Sequence, residues 1–389
     1  MPGQTRNHID LVTLMTVLTL MLMSLGIVYS ASASYALAKF GESEKMLASH
    51  AIKVVLGIVG LFIGMRIDYH KLRRFTKIAL IVAVVMLIVT IALGGETKGS
   101  TRWLRYSSIG FQPSEFAKYA LLFHLCTLIA VKDDLIRDLK RGFIPMMVWI
   151  GFVTVLVLAQ PNFSMGSMIF LLSVIMLFVG RAKLSHIALT FAILIPLLAI
   201  YMLSAEYRRA RIMAFMSGTE STGRSHYQSW QGLIGFGNGG IFGVGPGESK
   251  QRDFFLPESY GDFVFSIVGE EYGFLGTIFC MALFLTIMFR GFKIAKFAND
   301  AFGRNLAIAI TCAITLYALI NAGVTLGILP TTGLPMPFVS YGGSSMVFSA
   351  FAAGVLLNIS SQTELHPRAR QVPVVGSVNA GEPGVGKVY

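Results

Sequence analysis

Runs of about 20 apolar residues recur along the whole chain, and about 20 residues of helix are what it takes to cross hydrocarbon. The stretch "LVTLMTVLTLMLMSLGIVYSASA" (11–33) is the first, and similar ones follow after short polar breaks. Inside a bilayer every backbone N–H and C=O must find a partner within the protein, so only helices and closed β-barrels span it. Barrel strands show short alternating patterns, whereas these runs are long and unbroken. Composition excludes a soluble globule: of 389 residues, 54% are hydrophobic and 13% charged, against about 25% charged in a soluble domain. The expected fold class is all-α, a polytopic membrane protein.

Ten spans are predicted, at 10–33, 48–67, 78–95, 113–131, 143–160, 164–181, 184–203, 262–289, 304–329 and 338–360. The first is read as a retained helix, not a cleaved signal, because it is long and a second span follows closely. The net charge of +12 is read as topology, with no nucleic-acid partner expected. With the N-terminus in the cytoplasm, the inside segments carry Arg6, then Arg66 to Lys77, Lys132 to Arg141, Arg181 and Lys183, Arg290 to Arg304, and Arg368, Arg370 and Lys387. The short outer loops carry only Lys39, Lys45, Lys98, Arg102 and Arg105. That asymmetry satisfies the positive-inside rule and puts both termini in the cytoplasm. One long loop, about 204–261 between spans seven and eight, then faces outward. Residues 1–360 form one transmembrane domain, and 361–389, rich in Pro, Gly and Arg, are expected to be a disordered cytoplasmic tail. Cys126, Cys280 and Cys312 lie in apolar segments without the spacing of a disulfide or metal motif.

The outward segments hold the polar chemistry. In "KGSTRWLRYSSIGFQPSEFAKYALLF" (98–123) Trp103 lies near Arg102 and Arg105, and Pro113 opens a helix. Glu115 and Lys118, three apart, share a face of that helix. They are a local ion pair or cavity-lining groups, since ionisable residues in a span usually face a protein interior or water. Arg102 and Arg105 also suit headgroup anchoring. The glycine-rich "LIGFGNGGIFGVGPG" (233–247) carries apolar residues poorly suited to water, and partial re-entry into the outer leaflet is expected. In "LPESYGDFVFSIVGEEYGFLG" (256–276), Glu258 and Asp262 stand at the start of span eight, while Glu270 and Glu271 lie deeper and need partners. Asp262 is a candidate base, although Asp is also a preferred helix cap. In "LPTTGLPMPFVSYGGSS" (329–345), Ser340 and its small neighbours begin span ten with exposed N–H donors that suit an anion.

The elements "FQPSEFAK" and "PFVSYGGSS", with "SYGDF", resemble the SEDS family of shape, elongation, division and sporulation proteins, over about residues 10 to 360. The resemblance implies ten transmembrane helices and peptidoglycan glycosyltransfer from lipid II, in the bacterial cytoplasmic membrane. It implies Asp262 as the essential aspartate, with Gly261 where many relatives have a polar residue. It places Arg102, Trp103, Glu115 and Lys118 along the outward cavity, and Glu258 and Ser340 are further substrate-binding candidates. The implied partners are lipid II, undecaprenyl-diphosphate-linked glycan, a class B penicillin-binding protein and other division proteins. A divalent cation (Mg or Mn) would suit a diphosphate leaving group, though no metal-ligand motif is present. The outer turn "QPNFS", with Asn162 where relatives often have an acid, and the threonines of "PTTGLPMP" resemble the division branch more than the elongation branch. A lipid II flippase and a docking scaffold remain alternatives; clustering of the polar groups on the outer side, away from the midplane, favours transfer chemistry.

Overall fold

The computed structural model describes residues 8–93, 102–106, 109–132, 135–204, 206, 209, 224–363 and 365. In chain order its longer helices are α1 (Leu11–Phe40), α2 (Lys45–Arg66), α3 (Tyr69–Leu93), α4 (Pro113–Val131), α5 (Ile144–Ala159), α6 (Phe163–Val179) and α7 (Leu184–Leu203). Then come α8 (Arg224–Gly239), α9 (Val264–Lys296), α10 (Ala301–Thr325) and α11 (Gly343–Ser360). Among the described residues, 8 helical stretches are long and apolar enough to cross a membrane, α5 being counted with the turn Leu139–Phe143 before it. Two shorter apolar helices, Phe163–Val179 and Leu184–Leu197, join them.

Each predicted apolar run coincides with one of these helices, but two sequence expectations need correction. The chain is not purely helical: β1 (Leu104–Tyr106) and β2 (Ile109–Phe111) form an antiparallel pair, with Arg105 opposite Gly110. The segment expected to be a long loop also contains α8 and a π turn at Gln251–Phe255. Helix ends differ as well. α1 runs on to Phe40, closed by Gly41 at φ 76, and α3 begins at Tyr69 and not near 78. Hydropathy stops at polar residues, whereas a helix continues until its backbone is capped. From 366 onward the expected tail lies outside the described residues.

α4, α10 and α11 form the interior, and the remaining long helices expose an apolar face. α2 packs along α11 through Gly57, Gly60 and Gly64, and a Cβ placed on Gly354 would collide with the carbonyl oxygen of Leu61. Small residues at such a seam let two backbones approach where lipid supplies no hydrophobic drive. At the helix ends predicted to be cytoplasmic, polar side chains tie the bundle. Asp10 caps α1 by accepting from the Thr13 N–H at 2.8 Å and takes the Arg290 guanidinium of α9, Nε to Oδ2 2.9 Å. The Asp10 N–H donates to Ser360 Oγ of α11 at 3.0 Å. Asn358 accepts from the Tyr69 N–H at 3.1 Å and donates to the Met65 carbonyl at 2.8 Å.

α9 is broken at Gly273, which has φ 65 and ψ −160. The break removes the helical partners of the Phe274 and Leu275 N–H groups and of the Glu270 and Glu271 carbonyls. The glycine-rich segment supplies all four. Phe274 N–H donates to Gly240 O at 2.9 Å and Leu275 N–H to Ile241 O at 3.2 Å. Val244 N–H donates to Glu270 O at 3.0 Å and Gly245 N–H to Glu271 O at 3.1 Å.

Gly354→Ala is expected to destabilise the purified protein by about 1–3 kcal/mol, the scale of an overpacked contact. Gly26→Ala, at a helical position with nothing within 4 Å of the added carbon, is expected to be neutral or slightly stabilising. Melting temperatures in one detergent compare them. Equal melting would mean that α2 and α11 are not in backbone contact at Gly354.

Candidate active site

α4 starts on Pro113, with Gln112 at the cap position and Glu115 in its first turn. Glu115 and Lys118 are each 1% exposed, and Lys118 Nζ lies 2.7 Å from Glu115 Oε2. The ammonium also faces the Tyr317 ring at 4.0 Å and the Tyr119 ring at 4.7 Å. Two charges this deeply buried are held by each other and by the aromatic faces around them. The pair is the local contact that the i, i+3 spacing allows, and α10 connects it to the rest of the site.

Asp262 is half-buried and lies outside α9, whose cap position is Phe263. It therefore does not occupy the cap position that sequence alone left open. The loop before it turns on Glu258, a non-glycine residue at φ 58, a left-handed conformation that stores about 1–3 kcal/mol of strain. The Glu258 carbonyl accepts the Gly261 N–H at 2.8 Å and the Phe263 N–H at 3.4 Å. The Asp262 carboxylate faces the turn at Gly333, where a Cβ would lie 3.4 Å from its Oδ2. Asn321 of α10 clamps both loops: its Nδ2 donates to the Asp262 carbonyl and to the Leu334 carbonyl, each at 2.8 Å.

Tyr317 and Asn321 are four residues apart on α10, so their side chains are neighbours about 5–6 Å apart at Cβ. One helical turn thus separates the group that faces Lys118 from the group that holds Asp262. These two halves come from positions more than 100 residues apart in sequence. Asn321 was not singled out from the sequence; its signal is an amide well inside an apolar span, which seeks a specific partner.

The other predicted residues are placed as follows. Arg102 donates through Nη2 to the Pro161 carbonyl, tying the β1–β2 strand pair to the turn before α6. Trp103 packs over Gly110 of that pair, 3.4 Å from where a Cβ would sit. Ser340 is 3% exposed and its Oγ accepts the Met336 N–H at 2.8 Å, so its hydroxyl holds the turn. Tyr341 N–H donates to the Tyr260 carbonyl at 3.0 Å, joining this turn to the Asp262 loop. Burial and the Glu258 charge push the Tyr260 phenol above its ordinary pKa. Glu270 and Glu271 face the glycine-rich segment and α1. Glu270 accepts from Asn238 Nδ2 at 3.2 Å, the Gln251 N–H at 3.1 Å and Ser249 Oγ, while Glu271 accepts from Ser30 Oγ. They brace the broken helix. Among the described residues no cluster of three or more His, Cys, Asp or Glu side chains gathers to hold a metal.

Glu115→Gln leaves Lys118 buried without its counter-charge and is expected to cost about 3–5 kcal/mol. The double variant Glu115→Met/Lys118→Met should recover most of that loss, since an apolar replacement of a buried pair is often neutral. Thermal melting of the two variants decides. A single variant as stable as wild type would mean the pair is solvated.

The family model described as a cell cycle protein family, FtsW/RodA/SpoVE, matches residues 10–365. A probable peptidoglycan glycosyltransferase FtsW from Geobacter metallireducens is 36% identical over 92% of this chain and 96% of its own length. One from Trichlorobacter lovleyi is 38% identical over 92% and 94%. Stage V sporulation protein E of Bacillus subtilis is 34% identical over 89% and 95%. Among solved structures, a chain of a peptidoglycan synthase complex that coordinates polymerization and crosslinking superposes with a TM-score of 0.74 at 22% identity, over 92% of this chain and 99% of its own. The rod shape determining protein RodA of Thermus thermophilus gives 0.66 at 22%, over 91% and 96%. The match extends over nearly every helix described above, and the chain belongs to the FtsW/RodA/SpoVE family of cell cycle proteins.

Proposed function

We propose that this protein is a peptidoglycan glycosyltransferase that polymerises lipid II at the outer face of the bacterial cytoplasmic membrane. The observation that carries the reading is the placement of Asp262 on Asn321, one turn of α10 from the buried Glu115–Lys118 pair. The activity named for the curated relatives at 36% and 38% identity supports it. Those relatives carry the division name, which favours septal wall synthesis over elongation. The topology that fits is ten spans with both termini cytoplasmic. The segment 204–261 is then external, with its glycine-rich part in the outer leaflet. Support for that depth comes from the backbone bonds to Phe274 and Leu275, about 15 Å along α9 from its first residue, and from Ile241 and Phe242, which are 61% and 79% exposed.

The chemistry is a single displacement. The growing glycan, carried on undecaprenyl diphosphate, is the donor. The 4-hydroxyl of the GlcNAc of an incoming lipid II attacks its anomeric carbon. Asp262 takes the hydroxyl proton, the new carbon–oxygen bond forms, and the bond to the diphosphate breaks with its electron pair leaving on the diphosphate. Lys118 and Arg102 are the candidate cations for stabilising that charge. One displacement inverts an α-linked donor to a β-linked product and needs no covalent enzyme intermediate. Trp103 and Glu258 line the approach, and a class B penicillin-binding protein is the proposed partner for crosslinking, in keeping with the synthase complex whose chain shares this fold.

Asp262→Asn and Asp262→Ala are expected to lose about 10²–10⁴-fold in glycan synthesis from purified lipid II, each assayed with the transpeptidase partner and with and without a divalent ion. Both should retain wild-type melting and complex formation. Polymerisation by Asp262→Asn at the wild-type rate would show that Asp262 is not the base.

A further inference from the structure

Lys53 is a lone cation inside the apolar run of α2, eight residues from its first residue. No carboxylate among the described residues pairs with it. Its Nζ lies 3.3 Å from the centre of the Tyr341 ring, and its methylenes cover Gly343, where a Cβ would meet Cγ, Cδ and Cε at 3.4–3.5 Å. Gly343 is the first residue of α11, an 18-residue helix whose cap, Gly342, provides no side-chain bond to the opening N–H groups. The Lys53 stem therefore crosses an uncapped helix N-terminus, which already favours negative charge, and its ammonium lies on the ring two residues before that helix.

A second observation points to a ligand there. Ser345, in the first turn of α11, is 6% exposed, and its Oγ has no hydrogen-bond partner among the described residues. Its Cβ lies 3.6 Å from the position of a Cβ on Gly342, so the hydroxyl belongs to the open end of the helix. Buried hydroxyls without partners are uncommon unless something supplies the bond. The neighbouring Ser344 Oγ accepts the Gln112 N–H at 2.9 Å. This brings the start of α4 alongside, where the Ser114 Oγ is likewise buried without a partner among the described residues. Two helix N-termini thus meet beneath Lys53, and Tyr341 fixes this corner to the Asp262 loop through its bond to Tyr260.

We propose that Lys53, Ser345 and the first N–H groups of α11 form a phosphate-type anion site that takes the diphosphate of a lipid-linked sugar beside Asp262. The proposal rests on the glycosyltransferase reading for its substrate. It adds a binding group on α2, a helix that contributes nothing else to the chemistry. Lys53 holds the charge of the lipid carrier, while the π face of Tyr341 keeps the ammonium oriented.

The test uses the full chain in nanodiscs of zwitterionic lipid, with undecaprenyl diphosphate as the probe. Lys53→Met is expected to weaken binding about tenfold or more, the scale of one hydrogen bond to a charged group, and Lys53→Arg, which keeps the charge, to weaken it less than Lys53→Met does. Unchanged binding by a folded Lys53→Met protein overturns the site, and in that case Lys53 only packs on Tyr341. Neutral undecaprenol bound as tightly as the diphosphate also overturns it. Competition by phosphatidylglycerol at equal lipid fraction would assign the site to a membrane headgroup and overturn the substrate role. Because binding is read without turnover, a chain that binds through Lys53 yet makes no glycan when its transpeptidase partner is present overturns the polymerase reading and leaves the anion site standing.

Discussion

A helix in hydrocarbon has no water to satisfy a broken hydrogen bond, and each unpaired backbone group there costs several kcal/mol. α9 nevertheless breaks at Gly273, and the segment Gly240–Gly245 supplies all four missing partners. The match is donor for acceptor and acceptor for donor, so the break and the segment define each other. Gly273 and Gly243 approach too closely for any side chain at either position. What the sequence presents as a glycine-rich loop is thus a structural patch on a transmembrane helix, and its register fixes where the preceding α8 lies.

Glu270 and Glu271 extend the same constraint into side chains. They sit on the turn just before the break and collect Asn238, Ser249, the Gln251 N–H and Ser30. Arg252 reaches the same Ser30, Nη1 to Oγ 3.1 Å. Carboxylates at this depth need such partners. By pinning the residues from 238 to 252 they anchor the chain that leads into the strained Glu258 turn and then into Asp262. The stability of the patched helix and the position of the candidate base are therefore parts of one network.

The helices were legible in the sequence because hydropathy reports the requirement of the bilayer directly. The pairing of Glu115 with Lys118 was legible too, since helix geometry alone brings i and i+3 together. Asp262 stood out as an acid at a boundary, but its support did not. Asn321 lies 59 residues away and reaches a backbone carbonyl, a contact with no local pattern. Lys53 was passed over because a single charge barely changes the mean hydropathy of its span, although a lone lysine in an apolar run is itself a functional signal. The break in α9 was hidden for another reason: Gly273 is one glycine among 40, and only the tertiary pairing distinguishes it.

The direction of the helices bears on the choice between transfer and transport. In the proposed topology α2, α4, α9 and α11 all start at the outer face. Glu115 lies in the first turn of α4, Asp262 immediately before α9, and Ser345 in the first turn of α11. α10 runs the other way, and it contributes Tyr317 and Asn321 from its last third, which is also its outer end. The positive ends of three helix dipoles therefore share the side that holds Lys53, Lys118 and Arg102, a field suited to a diphosphate. Moving a lipid headgroup across the bilayer requires polar groups at the midplane, between repeats that rock about a central site. Here the ionisable and orphaned polar groups of the site collect at the starts of helices on one side. At the opposite helix ends Asp10, Arg290, Asn358 and Tyr69 bond one another or the backbone. Those bonded groups contrast with the Ser114 and Ser345 hydroxyls at the outer helix starts, unpartnered among the described residues, a contrast that favours chemistry at one face over passage across the bilayer.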